Sequence, residues 1–399
     1  MTQPVPHPDR TTAVWGRAFR PFFLGGALQT ALVVPWWAAV WLGASHVPAW
    51  STPMAWHGHE MLFGFVAAAI AGFILTASPV WSGGPALAGA PLAATFALWV
   101  AGRIAFAAAG WLPLWLVAIV DVAFLPVVAL TVARTLRGSG QLRNYALVGV
   151  LLVLAAANAA MHAEALGLVA DVATRALRFA VDFVIVLILV IGGRITPAFT
   201  RNAFARQGAP RPVHSRPWLD RSAVAAAIAM AIADLTVGRA PLTGVAAGVA
   251  GAAALARLAG WQPLATRSEP LLWSLHLGAA WVAAGLLIVA VGDLGAGVPA
   301  SAGLHALTAG AMGSMIIAVT TRVAIGHTGR PLALPRHVVW CYALVSSAAA
   351  LRVAAPFLQA DPQRIALMAS AAAWSAAFAL FGVRYWPILT RPRPDQQPG

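Results

Sequence analysis

The apolar run MLFGFVAAAIAGFILTASPV at residues 61–80 decides the fold class. It contains no charged residue, and a helix of this length covers ~30 Å, the thickness of the hydrocarbon core of a bilayer. Similar runs recur along nearly the whole chain and lack the alternating pattern of an outer-membrane barrel. The sequence therefore predicts an all-α fold, a polytopic membrane helix bundle with about 12 transmembrane helices.

The composition of the 399-residue chain excludes several other classes of protein. Hydrophobic residues make up 60% and charged residues 10%, whereas a soluble globular chain carries roughly a quarter charged residues. The only cysteine is Cys341, which excludes a disulfide framework, a CxxC pair and covalent haem attachment. The net charge of +14 comes from arginines at predicted helix ends, where membrane topology places them, so we predict no nucleic-acid partner.

Hydropathy divides the chain into spans joined by short connectors. The predicted spans are roughly 22–44, 56–80, 88–108, 112–133, 144–167, 174–197, 217–237, 241–260, 268–292, 300–325, 337–359 and 363–386. We expect a short N-terminal segment 1–20, a single transmembrane domain 21–387 and a tail 388–399. Most of the 26 arginines fall on the side that holds the N-terminus, so both termini are predicted to be cytoplasmic.

Two distant parts of the sequence resemble each other. Aligning His59 with His305 also aligns Gly64 with Gly310. A duplicated helical unit would place the second and tenth spans in related positions. The alternative is a chance alignment of alanine- and glycine-rich helices.

The motif WHGHEM at residues 56–61 carries the strongest chemical signal. Imidazole suits iron or copper as a ligand, and thioether sulfur suits Cu(I). On a regular helix, His57 and His59 point about 200° apart. They can share one metal only if the helix begins after His57, and otherwise they serve two sites.

Further histidines lie inside predicted spans. His162 and His305 are both ~8 Å below the predicted outer surface, close to the level of His57 and His59. Imidazoles from separate helices at one level are what a metal or haem site in a bundle core requires. The alternative is that each one satisfies a neighbouring hydroxyl or carbonyl. His276 lies nearer the inner surface and is a candidate ligand of a second haem or metal.

Other polar residues near these histidines have candidate roles. Glu60 and Glu164 are candidate proton donors, or else residues of the membrane interface. We expect Arg103 and Asp121 to neutralise each other between the third and fourth spans. Asn158, one turn before His162, is able to fix the tautomer of an imidazole.

Arginines at the inner ends of spans are candidate partners of haem propionates, because guanidinium binds carboxylates in a bidentate manner. These residues are Arg194, Arg322 and Arg330. The alternative is that they anchor the helices at the cytoplasmic surface.

Four blocks of the sequence resemble motifs of the NnrS family. They are RAFRPFFLGG at 17–26, WHGHEMLFGF at 56–65, AGFILT at 71–76 and TRVAIGHTGRP at 321–331. The residues PVWSGG at 79–84 depart from the family pattern, which often has asparagine and arginine there. By the resemblance, the family positions are His57, His59, Glu60, Arg322, His327 and Arg330, and His327 joins the candidate metal ligands.

The resemblance implies a multi-pass protein of the bacterial cytoplasmic membrane that contains haem and copper and acts in the response to nitric oxide. The haem is expected to be b-type and non-covalent. Nitric oxide or another small diffusible ligand is the expected partner, together with membrane lipid. Nitric oxide reductase activity is a hypothesis that needs an unidentified electron donor. The alternatives are a secondary transporter and a membrane factor that handles haem or copper.

Overall fold

The structure is a computed structural model that describes residues 13–137, 142–208, 211–395 and 397. These residues form twelve long helices and no strand. The helices are α1 (Phe19–Trp41), α2 (Pro53–Ser82), α3 (Gly89–Ala107), α4 (Leu114–Leu136), α5 (Ala146–Ala165), α6 (Ala173–Arg206), α7 (Pro217–Val237), α8 (Pro241–Gly260), α9 (Pro270–Asp293), α10 (Ala300–His327), α11 (Val339–Phe357) and α12 (Ala360–Thr390). Each one lies over a predicted span, so the all-α fold is confirmed.

The chain forms two compact units. The first comprises residues 1–173, 320–333 and 378–399, and the second comprises residues 174–319 and 334–377. Helices α1 to α5 therefore belong to the first unit, and α6 from Thr174 onward, α7, α8, α9 and α11 belong to the second. Helices α10 and α12 contribute residues to both.

Eleven of the helices are long and apolar enough to cross a membrane. Helix α7 differs because it carries Asp220, Arg221 and Asp234. Asp220 lies 2.7 Å from Arg257 of α8, and Asp234 pairs with Arg178 of α6. Pairing lowers the cost of charged side chains in hydrocarbon, so α7 remains compatible with the predicted span.

Helices α2 and α10 each contain a π-helical segment. In α2 the segment Glu60–Val66 follows His59, and in α10 the segment Ala306–Met312 follows His305. Such segments are rare and frequently lie at functional sites. Residues that align in the sequence thus share an uncommon backbone, which favours a duplicated unit over a chance alignment.

Aromatic side chains hold three helices of the first unit together. The ring of Phe22 on α1 lies 5.4 Å from that of Phe96, 6.5 Å from that of Trp99 and 5.7 Å from that of Phe124. Aromatic pairs at these separations are stabilising beyond the area that they bury. They fix α1 against α3 and α4, the helices that bring polar side chains together farther along.

Candidate metal centre

Two histidines and an aspartate converge in the first unit. The carboxylate oxygen Oδ2 of Asp121 lies 3.1 Å from His59 Nε2 and 2.9 Å from His162 Nε2. The three ligand atoms lie within 4.8 Å of one another. The three residues are 0%, 3% and 2% exposed for His59, Asp121 and His162. They form a candidate metal centre of two imidazoles and one carboxylate.

Local features of three helices position these side chains. His59 is the last residue before the π-helical segment of α2. Asp121 is followed by a break at Ala123, where α4 divides into the segments Leu114–Val122 and Phe124–Leu136. His162 lies in the last turn of α5. Irregular backbone on two of the three helices therefore accompanies the cluster.

Asn158 orients His59 rather than His162. Its carbonyl Oδ1 lies 2.8 Å from His59 Nε2, and its amide Nδ2 donates to Asp121 Oδ2 at 2.8 Å. Because both oxygens facing His59 Nε2 are acceptors, this nitrogen carries the proton. The expectation that Asn158 fixes a tautomer is met, but the imidazole is the one on the neighbouring helix.

Trp50, in the connector between α1 and α2, sets the tautomer of His162. Its indole Nε1–H donates to His162 Nδ1 at 3.1 Å. An indole nitrogen is only a donor, so Nδ1 is unprotonated and Nε2 carries the proton that faces Asp121. This contact was not predicted, because Trp50 lies in a connector outside the predicted spans.

Arg103 of α3 supplies the positive charge beside the cluster. Its guanidinium pairs with Asp121 Oδ1 and with Glu60 Oε1. The pairing of Arg103 with Asp121 was expected. Glu60 Oε2 also accepts a hydrogen bond of 2.9 Å from Gln29 on α1. Two carboxylates and one guanidinium leave a net negative charge, which favours a bound cation.

Two glycines allow this close approach. A Cβ at Gly64 would lie 2.6 Å from Gln29 Nε2 and 3.2 Å from Arg103 Nη1, and one at Gly102 would lie 3.2 Å from Asp121 Oδ1. Any side chain at Gly64 would displace the groups that hold Glu60. Small residues thus let polar side chains meet between packed helices.

Aromatic rings enclose the cluster. The imidazole of His59 stacks on Phe106, with ring centroids 4.1 Å apart and an interplanar angle of 12°. The ring of Trp50 lies 4.7 Å from that of Phe106 and 5.2 Å from that of His162. This apolar shell lowers the local dielectric constant and strengthens the interactions of the charges inside it.

The geometry fits a single metal ion better than a haem at this place. Both imidazoles point their Nε2 atoms at one oxygen of Asp121 within 3.1 Å. Metal ligands of this kind converge on one point. A porphyrin plane between either imidazole and Asp121 has no room at that separation.

His57 does not join His59. Its ring stacks on Trp37 of α1, with centroids 4.6 Å apart and an interplanar angle of 11°. The helical segment Pro53–His59 runs through both histidines, so the two rings point in different directions. Of the two alternatives that the sequence left open, the structure therefore shows the one with separate environments.

Glu164 stabilises a helix start. Its Oε2 accepts hydrogen bonds from the backbone N–H groups of Val172 at 2.6 Å and Ala173 at 2.8 Å. The first N–H groups of a helix have no partner within the helix, and a carboxylate there satisfies them. This structural role explains Glu164 without a proton-donor function.

His276 and His305 lie in the second unit. His276 Nε2 lies 3.0 Å from Thr200 Oγ1, and Thr200 in turn donates to Thr196 O at 2.8 Å. His305 Nδ1 lies 2.8 Å from Ser301 O, one turn earlier on the same helix. Each contact engages one ring nitrogen, and a hydrogen bond of this kind also accompanies histidines that ligate a metal, so both residues stay candidate ligands.

The inner candidates lie away from the metal centre. The ring of His327 lies 5.7 Å from that of Phe19 at the start of α1, about 15 Å along this helix from Gln29, which contacts Glu60. Arg322 and Arg330, of the first unit, are half-buried. Arg194, of the second unit, is exposed.

The comparisons with known proteins identify the family. No curated protein matches the chain. A family model described as NnrS protein matches residues 13–393, nearly the whole chain. With its apolar helices and its buried histidine–aspartate–histidine cluster, the chain belongs to the NnrS family of membrane proteins, which supports a role in the response to nitric oxide.

Proposed function

We propose that this protein binds nitric oxide at a metal ion held by His59, Asp121 and His162. The observation that supports the proposal is the convergence of three buried ligand atoms within 4.8 Å of one another. Buried ionisable groups in a membrane bundle are costly and mark functional sites. Membership of the NnrS family makes nitric oxide the expected ligand.

Copper or non-haem iron is the metal that we propose. Imidazole suits both metals, and two histidines with one carboxylate form the ligand set of many non-haem Fe(II) sites. Either metal, when bound, would supply an open coordination position at which nitric oxide binds. The negative charge that remains after Arg103 pairs with Glu60 and Asp121 favours a cation of either kind.

The protein's own residues prepare the site for a small neutral ligand. Asn158 holds His59 and Asp121 in place, and Arg103 holds the second oxygen of Asp121. The rings of Trp50 and Phe106 exclude water. Nitric oxide is soluble in the bilayer and needs no aqueous entrance to reach such a site.

We propose binding rather than reduction as the activity. Reduction to nitrous oxide consumes protons and electrons, and the two candidate proton donors are engaged in hydrogen bonds and ion pairs. Glu60 holds Arg103 and Gln29, and Glu164 holds two backbone N–H groups. A b-type haem, which the family resemblance implies, then belongs to a different histidine from those of the metal centre.

The distribution of arginines supports an orientation in the bacterial cytoplasmic membrane with both termini in the cytoplasm. In that orientation the metal centre lies toward the periplasmic surface. Reporter fusions after α1 and after α12 test it, because they are expected to report opposite sides.

Nitric oxide binding to the purified, detergent-solubilised protein tests the proposed function. Metal content is measured first, and the absorption and electron paramagnetic resonance spectra are then recorded with and without nitric oxide. We expect about one copper or iron per chain at this site and a nitrosyl signal that His59→Ala abolishes. The matched control is His337→Ala, since His337 is exposed in a connector and is expected to leave the signal unchanged. A wild-type protein without either metal would overturn the proposal and favour a transporter.

A further inference from the structure

Two sequence blocks that the metal centre does not use meet at the other end of the first unit. RAFRPFF at 17–23 spans the start of α1, and GHTGRP at 326–331 spans the end of α10. Both contact the end of α12. The guanidinium Nη1 of Arg20 donates to Leu389 O and Arg391 O, each at 2.9 Å, and Arg393 Nη1 donates to His327 O at 3.1 Å.

Arg20 is a buried cation whose partners are neutral. It is 1% exposed, and the carbonyl groups that it contacts carry no net charge. Its Nε has no hydrogen-bond partner among the residues that the structure describes. Burying a charge is costly unless an opposite charge and hydrogen bonds compensate for it. Arg20 therefore needs an anion.

The neighbours of Arg20 increase this need. Arg330 and Arg393 are close enough for their charges to act on Arg20, and Arg391 acts in the same way on Arg330. Arg17 and Arg393 act on His327. The arginine cluster is thus formed by Arg20, Arg330, Arg391 and Arg393. Its positive charge also makes His327 a poor ligand for a metal cation.

One carboxylate in the described part of the chain offsets this charge. Asp395 accepts bonds of 2.6 and 2.9 Å from Arg393, and this contact lowers the pKa of the Asp395 carboxyl to about 2. Burial and the charge of Arg391 lower the pKa of Arg330. A single carboxylate shared among four guanidinium groups leaves a local excess of positive charge.

The backbone at Gly329 brings these groups together. Gly329 has φ 67°, and a Cβ there would lie 2.7 Å from Asp395 Oδ2 and 3.1 Å from Arg393 Nη2. A side chain at this position would therefore be strained and would push Arg393 away. The glycine of the GHTGRP block allows the connector after α10 to close on the cluster.

We propose that the arginine cluster binds a phosphate group, supplied either by the headgroup of an anionic phospholipid or by free phosphate. Guanidinium groups bind phosphate oxygens in a bidentate manner, and the excess of several positive charges suits a phosphate better than one carboxylate. The cluster lies where three candidate spans begin or end, which is the level of lipid headgroups.

Binding to the full-length, delipidated protein tests the proposal with two probes. Inorganic phosphate is compared with chloride at equal ionic strength by thermal unfolding. Vesicles of phosphatidylglycerol are compared with vesicles of phosphatidylcholine by native mass spectrometry of retained lipid. Removing one guanidinium that makes a charge-assisted hydrogen bond is expected to weaken binding about tenfold or more.

The variants are Arg20→Gln and Arg330→Gln, with Arg364→Gln as the control because Arg364 is an exposed arginine of the second unit. If Arg20→Gln does not fold, Arg330→Gln remains interpretable, since the bond that its side chain donates goes to Thr328 O nearby in sequence. Weakened retention of phosphatidylglycerol supports a lipid source, and weakened stabilisation by inorganic phosphate supports a free one.

Three results would overturn the proposal. In the first, neither phosphate nor phosphatidylglycerol binds the wild-type protein, and in the second, all three variants bind the probes equally well. In the third, Arg330→Gln loses a haem absorption band and neither probe binds. The last would assign the cluster to cofactor carboxylates. Metal content is measured in the same samples, so a failure of the metal centre is recognised separately.

Discussion

Replacing Trp50 by phenylalanine is expected to tighten metal binding, although Trp50 contacts a ligand. The indole N–H donates to His162 Nδ1 at 3.1 Å and thereby keeps the proton of His162 on Nε2, opposite Asp121. A metal at Nε2 requires this proton to leave. The imidazole then carries its proton on Nδ1, and this N–H faces the indole N–H of Trp50, which is also a donor. The hydrogen bond from Trp50 is therefore lost when the metal binds.

The size of the effect follows from this single contact. A neutral hydrogen bond contributes about 0.5–1.5 kcal/mol, which corresponds to roughly a two- to tenfold change in a dissociation constant. Phenylalanine retains a ring beside Phe106, whose centroid lies 4.7 Å from that of Trp50, and has no hydrogen bond to lose. The variant should therefore bind the metal about two- to tenfold more tightly.

Competition against a chromophoric chelator measures this change on metal-free protein in detergent. Trp36→Phe is the matched control, because Trp36 donates its N–H to His46 O at 3.2 Å, away from the candidate ligands. Unchanged or weaker affinity in Trp50→Phe would refute the reasoning, since it would mean that His162 does not ligate the metal through Nε2.

Further predictions follow from the other contacts of the cluster. Arg103→Leu leaves the carboxylates of Glu60 and Asp121 buried without their cation. In denaturant titration it should lower the free energy of unfolding of the metal-free protein by about 3–5 kcal/mol. Added metal should restore part of this stability. Glu164→Ala should lower the free energy of unfolding by about 0.5–2 kcal/mol and leave the nitrosyl signal intact. If Glu164 were a proton donor, the variant would instead lose nitric oxide turnover.

The fold could be predicted from the sequence because hydropathy is a local property that a span of about 20 residues reveals by itself. The period of a regular helix left open whether His57 and His59 share one site, and the helical segment Pro53–His59 shows that they face different surroundings. Depth along the spans predicted one level for His57, His59, His162 and His305. Of these, the structure brings His59 and His162 together through Asp121.

The sequence did not reveal which other side chains complete the cluster. Asp121 was predicted to pair with Arg103 only. Its second oxygen faces the histidines because of the rotation of α4 about its axis, and tertiary packing determines that rotation. Glu164 was a candidate proton donor in the sequence. Its role as a hydrogen-bond acceptor arises only because the chain turns back, which brings the N–H groups of Val172 and Ala173 to its carboxylate. Neither rotation nor chain reversal can be read from periodicity.

X-ray absorption spectroscopy at the metal edge of the purified protein tests the central claim most directly. The account predicts a copper or iron ion with two imidazole nitrogens and a carboxylate oxygen in its first coordination sphere, and loss of the bound ion in Asp121→Ala. A metal coordinated without imidazole, or one retained at full occupancy in that variant, would contradict the account.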